Sequence, residues 1–246
     1  MTQRLVEALL QVAVVLPLVV LALEERKRAS LKVVLVFVLF FVGNKALLSL
    51  PIVYDEARVI EGNWNWAGKI YAILGSVVFL FFYKKYHRAD YFLTWKQNST
   101  FKHRGFAVVL AIFIIGALIN LIFPSPMVWN SETLLFQLTM PGLDEEIAYR
   151  GIMLGLLSNT LKKDLWFFGV RLGAPAIWIS SILFGLVHGL MISPAYELYF
   201  YFEAFLTSLL YGLVWAWLTL KSGSILFSLI SHNLANTALY VIRMLN

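Results

Sequence analysis

Residues 105–123 read GFAVVLAIFIIGALINLIF, an apolar stretch without one charged side chain. A helical run of about twenty residues, rising 1.5 Å each, crosses a hydrocarbon core of about 30 Å. Comparable runs recur at 5–23, 31–50, 66–83, 143–161, 175–191, 198–220 and 224–244. About eight spans are expected, all helical, because open strands cannot satisfy their backbone groups in lipid. Composition agrees: 60% of the 246 residues are hydrophobic, 14% are charged and mean hydropathy is +0.77. An ordinary soluble domain carries about 25% charged residues. A soluble globular protein is excluded, and the fold class expected is all-α, a polytopic transmembrane helical bundle.

The charges then orient the bundle. Lys and Arg number 20 against 14 Asp and Glu, a net +6. In a soluble chain that excess would suggest nucleic acid; here it sits in short loops between apolar runs, so the partner expected is the lipid bilayer, with no nucleic acid. Fourteen of the 20 occupy alternate connections, at 26–32, 84–104, 162–171 and Lys221. Arg4, Lys45, Arg58, Lys69 and Arg243 fall on the other side or at its helix ends, and Arg150 lies inside a span. Basic loops stay cytoplasmic, so both termini are expected on the non-cytoplasmic side of a multi-pass cell-membrane protein. The first run lacks a small-residue cleavage site and meets Glu24-Glu25-Arg26-Lys27-Arg28 at once, which reads as a retained span. Cysteine is absent, which removes disulfides, thiolate metal sites and cysteine nucleophiles.

One structural domain is expected, with plain membrane spans over 1–130 and a polar four-helix core over 131–246. Within the latter, 133–140 is cut off by Pro141-Gly142 and is too short to cross, so it reads as a re-entrant or interfacial turn. Trp64, Trp66, Trp129 and Tyr199 fit an interfacial aromatic belt.

The fifth span carries Asp144-Glu145-Glu146 and Arg150. An ionisable residue at the bilayer centre costs about 2.5–3.5 kcal/mol on insertion scales, so the cluster needs a reason. An ion pair between Glu146 and Arg150, four apart on one face, accounts for two charges and leaves Glu145 unpaired. Acids at a helix N-terminus near the interface are an alternative, because the helix dipole favours them there. The sixth span adds Phe184 and His188, and the eighth His232 and Asn236, each pair on one helix face. A lone transmembrane histidine usually only packs, and an Asn only joins helices. Converging faces would instead supply a base, proton carriers and neutral donors in one dry cavity, as amide hydrolysis requires. Two G-x-x-x-G patterns, Gly151 with Gly155 and Gly185 with Gly189, would let those helices approach and bring Glu145 to His188. H-E-x-x-H and G-x-S-x-G are absent, which disfavours a conventional zinc protease and a serine hydrolase elbow.

Glu145-Glu146 with Arg150, Phe184 with His188, and His232 with Asn236 match E-E-x-x-x-R, F-x-x-x-H and H-x-x-x-N in order. In this the chain resembles the CAAX-protease and bacteriocin-processing group, or Abi family, of intramembrane glutamate endopeptidases, from about Leu143 onward. The resemblance implies a metal-independent protease with no cofactor. Its members act on prenylated proteins near their C-termini in eukaryotes and on peptides or membrane proteins in bacteria. The substrate class implied is thus a peptide or protein, in some members membrane-associated or lipid-modified. Carried over, Glu145 with His188 activates water, His232 and Asn236 hold the oxyanion, and Glu146, Arg150 and Phe184 support the site. Two other readings stand beside it: a non-catalytic immunity or regulatory protein of the same fold, and a transporter with a midplane polar site. The charge count places the start of the Glu145 helix toward the non-cytoplasmic side, whereas the prenyl-processing relatives work on cytosolic substrates. Either the Pro141-Gly142 break gives access from inside, or substrates arrive from elsewhere.

Overall fold

A computed structural model describes residues 1–246, the side chain of Phe167 excepted. The helices follow the apolar runs: α1 (Thr2–Ala22), α2 (Arg28–Val53), α3 (Trp66–Phe82), α4 (Lys102–Ile122), α5 (Ser131–Glu145), α6 (Leu154–Ser158), α7 (Pro175–Gly189), α8 (Phe202–Ser222) and α9 (Leu226–Leu245). By length and composition α1, α2, α4 and α8 can each cross a membrane; α3 and α7 are shorter apolar helices. The helical bundle is as expected, but two connections are not helical. Antiparallel hairpins join Leu165–Phe167 (β1) to Val170–Gly173 (β2) and Leu190–Ile192 (β3) to Leu198–Phe200 (β4), so α8 begins later than the apolar run that opens at Leu198.

The largest departure concerns residues 131–158. The separate turn expected at 133–140 does not exist. Asn130 caps α5, its side chain accepting from Thr133 N at 2.8 Å, and the helix runs through Pro141 into a π-helical segment, Glu146–Met153, and on into α6. Proline removes a donor and normally kinks a helix. Here α9 reaches across: Asn233 Oδ1 accepts from Gly142 N at 2.8 Å and Asn233 Nδ2 donates to Thr139 O at 3.3 Å. The acids therefore lie in mid-helix, not at a helix start. From Ala148 to Leu157 every side chain is buried, which makes this the central rod of the bundle. Val15, Val19, Phe37, Phe41, Leu183 and Leu218 pack in the core around it, while α4 turns Leu110, Ile114, Ile115 and Leu118 outward as a lipid-facing surface should.

The G-x-x-x-G expectation needs correction too. A Cβ on Gly185 or Gly189 would meet Phe205 of α8, and one on Gly155 would meet Asp90 O and Tyr91. The glycines do permit close approach, but toward α8 and the 88–91 turn, not of the fifth and sixth spans toward each other. At Gly189 the added carbon would stand 2.5 Å from Phe205 Cβ and 3.0 Å from its backbone N and Cα, with no flexible atom to yield. Gly189→Ala should cost about 1–3 kcal/mol by overpacking. Gly43, with nothing within 4 Å, should gain a few tenths as Gly43→Ala. Thermal unfolding in detergent measures both; equal effects would mean that the α7–α8 contact is loose.

Candidate active site

Three consecutive acids in a buried rod need cations within reach, and the nearest comes from the plain half of the chain. Asn65 caps α3, accepting from Gly68 N at 3.1 Å and donating to Leu48 O at 2.8 Å, which fixes the first turn. Lys69 follows directly. Its Nζ donates to Glu145 Oε1 at 2.7 Å and to Asp144 Oδ2 at 2.9 Å. Glu145 is thus not the unpaired carboxylate expected, and Lys69, at the helix end as expected, is buried against the two acids. The other oxygen, Glu145 Oε2, is buried without a hydrogen-bond partner among the described residues and stands 3.9 Å from His232 Nε2.

Glu146, fully buried, meets the other nitrogen of the same histidine. Its Oε1 accepts from His232 Nδ1 at 2.9 Å and stands 3.4 Å from Arg150 Nη1, too loosely set for a hydrogen bond. The Glu146 and Arg150 ion pair is present, and most of the guanidinium's contact is with ring faces. Arg150 Cζ lies 4.2 Å from the Phe184 centroid and 5.3 Å from that of Trp215. Desolvated cation–π contacts of this kind contribute about 2 kcal/mol. Phe184 also offers its carbonyl to His188 Nδ1 at 2.8 Å, and their rings are 4.6 Å apart.

The same logic fixes both imidazoles. A carbonyl and a carboxylate only accept, so each Nδ1 carries the proton and a neutral ring keeps its Nε2 lone pair free. Trp215 stacks on His232 at 4.1 Å and 16°, and anchors itself by Nε1 to Ser231 Oγ at 3.1 Å. Asn236 donates through Nδ2 to Gln137 Oε1 at 3.1 Å. Glu146 gives His232 the carboxylate orienter that its own helical turn lacks.

All four motif side chains thought to touch substrate, Glu145, His188, His232 and Asn236, line one cavity of about 530 Å³, together with Lys69, Gln137 and Trp215. Phe184 lines it too, while Glu146 and Arg150 stand behind. Trp64, assigned to the interfacial belt, walls the same cavity and stacks on Phe136 at 5.0 Å. Sequence reasoning missed Lys69, Trp215, Gln137 and Asn233. The available signals were a lysine one turn inside an apolar helix and a tryptophan in mid-span instead of at an interface.

The family model described as Type II CAAX prenyl endopeptidase Rce1-like matches residues 127–238, which contain all three motifs. Over that segment the chain is similar to the Rce1-like family. No curated protein and no solved structure matches. That family is, by its description, one of prenyl endopeptidases, so the similarity is to a protease family. Lys69 lies outside the matched segment.

Removing one member of a buried ion pair costs about 3–5 kcal/mol, because the partner charge is stranded. Lys69→Met should therefore lower stability on that scale, since Asp144 and Glu145 would face each other uncompensated. Asp144→Asn should be mild, because Lys69 keeps Glu145. Thermal unfolding in detergent decides; equal losses would make Asp144 the principal partner of Lys69.

Proposed function

We propose that the chain is an intramembrane endopeptidase in which Glu145 activates water. The observation that carries the reading is Glu145 Oε2: buried, unpartnered among the described residues, and facing His232 Nε2 across the cavity floor. A carboxylate held by one oxygen on Lys69 presents the other to a ligand in fixed orientation. Water donating one proton to Oε2 and the other to His188 Nε2 has its lone pair directed at a scissile carbonyl carbon. As the O–C bond forms, Glu145 takes the water proton and the carbonyl oxygen becomes an oxyanion. Asn236 has one N–H on Gln137 and a second free for that oxyanion. His232 donates from Nε2 after taking up a solvent proton there before the attack, with Glu146 on Nδ1 balancing the charge. Collapse breaks the C–N bond, and Glu145 returns its proton to the leaving amine.

No metal is assigned to this site. The Lys69 ammonium, at 2.7 and 2.9 Å from the two carboxylates, balances Glu145 Oε1 and Asp144 Oδ2 without a metal. In this reading residues 131–246 carry the catalytic groups and 1–130 contribute Lys69. The substrate is a peptide or protein segment at the membrane, accepted by a cavity with the aromatic walls Trp64, Phe136, Tyr211 and Tyr240. Lipid modification of that segment is compatible with such walls. Both termini lie on the non-cytoplasmic side.

Glu145→Gln keeps the shape but cannot take the proton, so it should reduce peptide cleavage by at least about 10²-fold, the scale of a general base. Insertion and folding should be unchanged by gel filtration. Wild-type rates from the purified variant would remove Glu145 from its role. Strong chelators should leave cleavage unaltered; loss on chelation with recovery on adding Zn²⁺ would make His188 and His232 metal ligands.

A further inference from the structure

The two ends of the bundle are distinguishable by contacts and by charge. At one end the chain pairs Lys162 N with Ala22 O, Asn98 N with Ser222 O and Ile225 N with Phe92 O. That end gathers the fourteen loop lysines and arginines against Glu24, Glu25, Asp90 and Asp164. At the other end Glu132 accepts from Asn63 N, Trp64 N and Trp66 Nε1, Trp64 edges onto Tyr240, and Arg243 O accepts from Met127 N. This end has Glu7, Asp55, Glu56, Glu61, Glu132, Glu197 and Glu203 against Arg4, Lys45, Arg58 and Arg243, while Lys69 is taken up by Asp144 and Glu145.

The cavity over Glu145 opens at the second end. Its upper wall is Trp64 and Asn65 before α3, Gln137 in the second turn of α5, Ser208 in the second turn of α8, and Tyr240 near the end of α9. Its floor is Glu145 and His232 in mid-bundle. Two cavities at the basic end, beside Lys85 and beside Lys84 and Arg88, include none of the motif residues. Loops rich in Lys and Arg stay cytoplasmic. An excess of acids at the end where the cavity opens raises the local concentration of cations.

We propose that the site takes its substrate from the non-cytoplasmic face, and that this substrate is a peptide segment with basic residues beside the bond cut. The proposal rests on the protease reading for its chemistry and on cavity geometry and charge for its entrance.

The chain has no cysteine, so single cysteines report alone. Ser99→Cys marks the basic loop, Ala195→Cys the β3–β4 turn, and Ser208→Cys the cavity wall, with Thr207→Cys as its substitute if the first misfolds. Sealed spheroplasts of an expressing bacterium receive two impermeant methanethiosulfonates, one with a trimethylammonium and one with a sulfonate group. The expected result is reaction at Ala195→Cys and Ser208→Cys, with Ser99→Cys silent until permeabilisation. The cationic reagent should lead at Ser208→Cys by about tenfold after normalisation to a free thiol. Reaction at Ser208→Cys only after permeabilisation overturns the entrance, and a lead for the sulfonate overturns the basic substrate. In a second arm, quenched fluorescent peptides with lysine or glutamate flanks are added to the same spheroplasts, with Glu145→Gln as the blank. The lysine peptide should be cut from outside. Cleavage only after permeabilisation overturns the proposal and leaves the protease reading standing. Equal fluorescence from wild type and Glu145→Gln, with cysteine labelling as expected, retires the protease reading and with it the substrate named here.

Discussion

The Lys69 ammonium, held between the Asp144 and Glu145 carboxylates, is the contact on which the rest of the bundle depends. Three adjacent acids in the central rod are costly in a membrane unless each finds a partner. Lys69 takes the first two, and Arg150 with His232 takes the third. Because successive residues on a helix point different ways, Asp144 and Glu145 reach Lys69 on α3, while Glu146 reaches His232 on α9 and Arg150 one turn along the rod. The charges thereby draw the helices of both halves around 131–158 and leave one carboxylate oxygen pointing into the remaining space.

Aromatic rings do much of the holding where hydrogen bonds are lacking. Neither Nη1 nor Nη2 of Arg150 has a hydrogen-bond partner among the described residues, yet the guanidinium is covered by Phe184 and Trp215. Those same rings face His188 and His232. This accounts for the phenylalanine of the F-x-x-x-H motif: Phe184 covers a cation, offers its carbonyl to one histidine and walls the cavity.

The helices were legible because lipid forces long apolar runs, and the motif pairs because a four-residue spacing marks one helix face. What was not legible depends on partners far away in sequence. The continuity of α5 through Pro141 rests on Asn233, 91 residues from Gly142. The pairing of Glu145 rests on Lys69, 76 residues away, which counted only as a helix-end charge in the sequence. Glycine spacing announced close packing without naming the neighbour, so Gly185 and Gly189 were assigned to the wrong helix. The hairpins were not legible because strands of three or four residues lie in stretches that read as apolar or as loop.

In its proposed role Glu145 removes a proton from water and never bonds to the substrate carbon. An attacking carboxylate would instead form an anhydride with the substrate, which water would then open. Single-turnover cleavage in ¹⁸O-water, followed by mass spectrometry of the product and of the enzyme fragment containing Glu145, separates the two. The expected result is one heavy oxygen in the new carboxyl group of the product and none in Glu145. Heavy oxygen in the Glu145 carboxylate would contradict activation of water as the central step.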